Sequence, residues 1–197
     1  MNDTLAIFGF PTTPLELISF ALAVTTVLLN VRQNHWAWLF SITSSATYAV
    51  VFFDARLYGD SGLQLVFIAA SVWGWYQWLR GAGNTRLVVT RLHGTGWALA
   101  LAGWALGFLV LSWFLKTHTN TDVPHMDAFL TAGSLVGQLL LARKKVENWT
   151  VWIVVDVLYV GLYVFKGLHV TAVLYAIFVL LAARGLRAWG NIARVDR

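Results

Sequence analysis

The 197-residue chain has no cysteine, three prolines and few charges, with Asp, Glu, Lys and Arg together making up 12% of it. Without cysteine there are no disulfides, thiolate nucleophiles or sulfur-ligated metals. So few prolines leave room for long uninterrupted helices. Set against a hydrophobic content of 58%, the shortage of charge leaves too little polar side chain to solvate a globular surface. The chain therefore reads as an integral membrane protein with no soluble domain. Also missing are a nucleophile elbow, a phosphate-cradling glycine loop and paired buried carboxylates, so neither an enzyme nor a cofactor is expected. The histidines His35, His93, His118, His125 and His169 stand near helix ends or in loops. None forms a ligand pair at helical spacing, and no metal site is expected.

Seven apolar stretches account for most of the residues: 15–31, 35–54, 60–79, 96–115, 127–142, 149–165 and 169–188. The fifth and sixth are the shortest for a span. Taking seven spans, one side carries Arg32, Arg80, Arg86, Arg91, Arg143, Lys144, Lys145, Arg184, Arg187, Arg194 and Arg197, and the other only Arg56, Lys116 and Lys166. This asymmetry places the N-terminus outside and the C-terminus in the cytoplasm. The net charge of +5 is thus a matter of topology, and no nucleic-acid partner is expected. Thr13-Pro14-Leu15-Glu16 has the form of a capping box with proline at the first helical position, and no basic n-region precedes it. The first span therefore reads as a retained helix and not a signal peptide. The segment 81–94 reads as a solvated linker and 117–125 as the least ordered stretch of the opposite face.

Residues 14–80 and 125–191 are weak copies offset by 111 positions, with Trp38 on Trp149, Tyr48 on Tyr159, Phe67 on Phe178, Gly74 on Gly185 and Trp78 on Trp189. Each copy is three spans long, and one linking helix, 96–115, separates them. The second copy starts four spans after the first, so both cross the membrane in the same direction. The expected fold is an all-α, single-domain membrane protein of seven helices, arranged 3+1+3 as a parallel repeat like that of SWEET proteins. Such repeats in a hydrophobic chain point to a small-solute transporter with its site where the halves meet.

At helical spacing the sixth span presents Trp149, Trp152, Asp156, Tyr159 and Tyr163 on one stripe. Asp156 is the one acid well inside a span. A carboxylate there costs about 2.5–3.5 kcal/mol on insertion scales and needs a partner or a purpose. It either faces a solute or bonds hydroxyls of Ser44, Ser45 or Tyr48. The matching stripe on the second span is Trp38, Ser41, Ser45, Tyr48 and Phe52. The third span offers Asp60, Gln64, Phe67 and Ser71 against Thr171, Tyr175, Phe178 and Ala182 on the seventh, and Gln138 adds a polar group on the fifth. The divergent stripes suit a solute with one flat aromatic end and one hydroxyl-rich end. Aromatic walls around one acid form a receptacle for a flat organic cation. Trp73, Trp75, Trp78 and Trp189, beside arginines, read as interfacial belt anchors. Gly74 and Gly185 read as sites of close helix packing.

Three features, namely Trp73-Gly74-Trp75-Tyr76-Gln77-Trp78 closing the first copy, Trp149-x-x-Trp152 followed by Asp156, and the 3+1+3 layout, together resemble the PnuC-type vitamin transporters. The resemblance spans nearly the whole chain apart from the termini and the linking helix. It implies a bacterial inner-membrane carrier that imports nicotinamide riboside for NAD synthesis by facilitated diffusion, with trapping by a cytoplasmic nicotinamide riboside kinase. Thiamine, or less readily riboflavin, is the alternative solute. It also implies a homotrimer in the lipid bilayer with one site per protomer. By the same resemblance Trp149, Trp152 and Asp156 match the family's binding motif. Stripe geometry adds Trp38, Ser45, Tyr48, Gln64, Gln138, Tyr159 and Tyr163.

Overall fold

The computed structural model describes residues 5–7, 10–12, 14–54, 58–81, 87–119, 121–165, 167 and 169–195. Among them are seven helices: α1 Pro14–Val31, α2 Ala37–Asp54, α3 Tyr58–Arg80, α4 Gly94–His118, α5 Pro124–Ala142, α6 Asn148–Phe165 and α7 His169–Val195. The expected spans agree within three residues, except that α7 runs seven residues further. Two short strands absent from the all-helical expectation precede α1: β1 (Leu5–Ile7) and β2 (Phe10–Thr12), antiparallel, with Ile7 opposite Phe10. Thr13, Arg56, Arg86, Lys166 and Arg197 lie outside the described residues, as do the side chains of Glu16, Phe52 and Asp60.

By length and composition alone, α4, α6 and the Thr171–Arg194 part of α7 are apolar enough to cross a membrane among the described helices. On α5 the polar residues Thr131, Ser134 and Gln138 line a cavity between the helices. α2 packs against α1 and α3, and α6 against α5 and α7; α1 also meets α7 and α3 meets α5.

The contacts at one end of the bundle recur at the 111-residue offset. An added Cβ at Gly74 would lie 2.4 Å from Cη2 of Trp38, and one at Gly185 2.5 Å from Cδ2 of Trp149, so each indole lies flat on a glycine. Trp78 meets Trp38 edge-on at 5.4 Å, as Trp189 meets Trp149 at 5.4 Å. The outer indoles then reach across: Trp78 Nε1 donates to the Leu141 carbonyl (3.2 Å) and Trp189 Nε1 to the Val31 carbonyl (3.1 Å). Gln33 and Lys144, both with positive φ just past a helix end, face each other, and Lys144 Nζ donates to Gln33 Oε1 at 3.1 Å. The expected belt role fails for Trp189, which is fully buried; its ring fills the seam between α1, α6 and α7.

The 81–94 segment is likewise no simple solvated linker. Residues 87–93 lie along the α5–α6 turn, with Thr90 N–H donating to Lys144 O and Val146 N–H to Thr90 O. Leu92 N–H donates to the buried Glu147 carboxylate at 2.9 Å, and Val89 enters the core. The run Leu87-Val88-Val89-Thr90 has the apolar, β-branched character that favours extended pairing. α4 continues this attachment, with Trp104 Nε1 donating to Phe129 O (2.9 Å) and its ring covering Gly133.

Gly74→Ala and Gly185→Ala should each destabilise the purified protein by about 1–3 kcal/mol through overpacking. Gly103→Ala, which meets nothing within 4 Å, should leave the melting temperature unchanged. Thermal unfolding in one detergent compares the three.

Candidate functional site

All seven helices and the α4–α5 connection line a cavity of about 880 Å³. Its deep end lies against Asn30, Leu141, Trp149 and Ala182, next to the tryptophan crosslinks, and its other end reaches His118, Thr119, Thr121 and Asp127. Nine of the ten candidate residues line it: Ser45, Tyr48, Gln64, Gln138, Trp149, Trp152, Asp156, Tyr159 and Tyr163. Trp38 does not. Its indole is 1% exposed and lies over Gly74, outside the cavity, because the glycine leaves a slot the size of a ring and the ring fills it.

Asp156 is 4% exposed, and no described residue offers its carboxylate a hydrogen bond or a cation. Ser44, Ser45 and Tyr48 share the cavity with it, yet no bond from them to Asp156 is formed. One turn towards the deep end, Trp152 packs on Gly137, where an added Cβ would come within 3.0 Å of the ring. Trp149 is 2% exposed, and its Nε1 is buried with no hydrogen-bond partner among the described residues. Towards the open end stands a tyrosine cluster. Tyr159 and Tyr163 stack at 5.6 Å with 13° between planes, Tyr175 approaches both at 4.7 and 5.1 Å, and Phe178 meets Tyr175 edge-on.

The opposite wall carries a hydrogen-bonded string. Gln138 Nε2 donates to Ser71 Oγ at 3.1 Å, and Ser71 Oγ pairs with Ser41 Oγ at 3.0 Å. At the 111-residue offset Ser41, Ser71 and Gln138 fall on Trp152, Ala182 and Val27. The same positions therefore hold an indole in one half and a polar string in the other. Trp152 needs the small Ala182 and Gly137 beside it, whereas the small Ser41 lets Ser71 and Gln138 reach across. One wall of the cavity is flat and aromatic; the facing wall is rich in hydroxyl and amide groups.

Not anticipated from the sequence were the α1 residues Thr26 and Asn30 and the α5 residues Asp127, Thr131 and Ser134, all of which line the cavity. The α5 set was readable as a polar group at 127, 131, 134 and 138, the spacing of one helix face.

Apolar helices enclosing one polar and aromatic cavity, with bundles meeting around it, define a membrane solute transporter. The family model for the nicotinamide mononucleotide transporter matches residues 13–191, and the chain belongs to that family of transporters, which are not enzymes. Among its relatives, the riboflavin/roseoflavin transporter RibM of Streptomyces davaonensis is 28% identical over 185 residues, covering 92% of this chain and 86% of that protein. The nicotinamide riboside transporter PnuC of Escherichia coli is 25% identical over 204 residues, covering 90% and 84%. In fold, the crystal structure of the vitamin B3 transporter PnuC matches with a TM-score of 0.74 at 22% identity, over 93% of this chain and 83% of that one.

Removing Ser71's hydroxyl leaves the Gln138 amide and Ser41 without their shared partner, so Ser71→Ala should cost about 1 kcal/mol. Gln138→Leu in the same background should add little further. Additive losses in a double-mutant cycle on thermal stability would show that the string is not one unit.

Proposed function

We propose that this protein imports nicotinamide riboside by facilitated diffusion, and that the cavity is its solute site. The observation that carries the reading is Asp156, a buried, unpartnered carboxylate lining a cavity with aromatic walls. A positively charged nicotinamide ring supplies the missing counter-charge and stacks on Trp152. The ribose hydroxyls meet Ser41 and Gln138, which Ser71 links from behind the wall. Trp149, Tyr159, Tyr163, Tyr48, Ser45 and Gln64 complete the lining.

In this reading the chain is one transmembrane domain, a parallel repeat of residues 14–80 and 125–191 joined by 96–115. It sits in a bacterial inner membrane with the N-terminus outside, as a homotrimer with one site per protomer. The two three-helix bundles rock against each other to expose the cavity to either side. Net uptake is made one-way by cytoplasmic phosphorylation of the solute, which feeds NAD synthesis. A second reading, riboflavin as solute, is favoured by the 28% identity to RibM. Riboflavin is neutral, however, and gives Asp156 no counter-charge; thiamine, a cation, would satisfy Asp156.

Equilibrium binding of nicotinamide riboside, thiamine and riboflavin to the purified protein tests the reading. Nicotinamide riboside should bind tightest, and Asp156→Asn should weaken it about thirtyfold, equivalent to about 2 kcal/mol. The same variant should melt a few degrees higher when empty, because an uncompensated buried charge is gone. Unchanged binding with a lower melting temperature would make Asp156 a packing residue, and tighter riboflavin binding would replace the solute. With one acid well inside a span motivating uncoupled transport, an imposed proton gradient should leave vesicle uptake unchanged at a fixed solute gradient; a steep rise would refute it.

A further inference from the structure

The cavity has a second carboxylate. Asp127 sits in the first turn of α5 at the open end, where Thr121 Oγ1 donates to its Oδ2 and Val123 N–H donates to Thr121 Oγ1. It lines the same cavity as Asp156 and is in electrostatic contact with Tyr159 and Tyr163. Gly133 packs against Val155 and Gly137 against Trp152, so α5 and α6 run antiparallel with Asp156 level with residues 132–133. Asp127 is therefore five to six residues, or about 8–9 Å, nearer the opening at 1.5 Å rise per residue. That separation is within a Debye length at about 0.1 M salt, so a cation in the cavity feels both charges. Tyr159 lies between the two levels and Tyr163, stacked on it, stands at about the level of Asp127; both present ring faces that also attract a cation.

We propose that Asp127 is an outer cation-binding group, which with Tyr159 and Tyr163 captures the positively charged end of the solute at the opening and passes it inward to Asp156. The pairing of Asp127 with Thr121 alone would make it a helix-end device. The independent pointer to a ligand is that the cavity beyond it ends on a buried, unpartnered carboxylate. A charge at the opening raises the local concentration of an oppositely charged solute and steers it along the axis of the cavity. Asp127 thus governs the rate of entry, while Asp156 governs retention. The inference rests on the cationic-solute reading above.

Stopped-flow quenching of tryptophan fluorescence in the full-length purified protein separates these roles. The probes are nicotinamide riboside and its neutral reduced form, at pH 8, where exposed imidazoles are uncharged. Asp127→Asn, which keeps an oxygen for Thr121 to donate to, should slow association of the cation about three- to tenfold at low salt. It should flatten the salt dependence of that rate and leave dissociation and the neutral form unaffected. Thr121→Val removes the helix-end bond but keeps the charge, so it should lower thermal stability without slowing entry. Equal slowing of both probes in Asp127→Asn, no slowing of either, or slowing of the cation by Thr121→Val would overturn the proposal. Absence of any saturable signal from the cation in the unsubstituted protein would instead remove the cationic-solute reading, and this inference with it.

Discussion

Inside a bilayer one apolar helix gains nothing from leaving lipid for another, so two bundles stay together through close packing and hydrogen bonds. The two halves here depend on a reciprocal pair of such bonds, Trp78 Nε1 to Leu141 O and Trp189 Nε1 to Val31 O. Each donor belongs to one half and each acceptor to the other. The indoles behind them, Trp38 on Gly74 and Trp149 on Gly185, hold the donor rings edge-on and fix their direction. Glycine at those two positions is a steric requirement. The cavity begins directly beyond this closed end.

The likeness of the halves is broken at part of the cavity wall. The tryptophans and glycines that pack keep the same residue, and so do the lining pairs Tyr48 and Tyr159, and Phe67 and Phe178. Other sites that face the cavity have diverged: Ser45 against Asp156, Ser41 against Trp152, Gln64 against Tyr175. A symmetric container would offer a solute two equivalent poses. Divergence at these lining sites removes one of them without disturbing the closure, and the shape of the preferred solute depends on which group stands on which side.

The helices were legible because each is a long apolar run punctuated by a short polar turn, and the α6 stripe because a 3.6-residue period puts Trp149, Trp152, Asp156, Tyr159 and Tyr163 on one face. Trp38 misled for a physical reason. Periodicity gives the face a residue occupies but not the depth of the slot opposite, and Gly74 draws that indole away from the cavity. Thr131 and Ser134 were overlooked because small hydroxyl residues serve equally well in helix packing, and only the alignment of α5 against α6 shows which use applies. The strap at 87–93 was hidden by its arginine- and glycine-rich flank, although Val88, Val89 and Thr90 carried the extended signal. Hydropathy is enough to find seven helices; it does not tell which of them move together.

That last question is answered by the strap. Residues 87–93 are bonded to the α5–α6 turn through Thr90 and Glu147, and α4 is pinned to α5 through Trp104. The linking helix is therefore fastened to α5 and α6, and mechanically it is a fourth member of the second bundle. Any relative motion sets a light body of three helices against a heavier one of four.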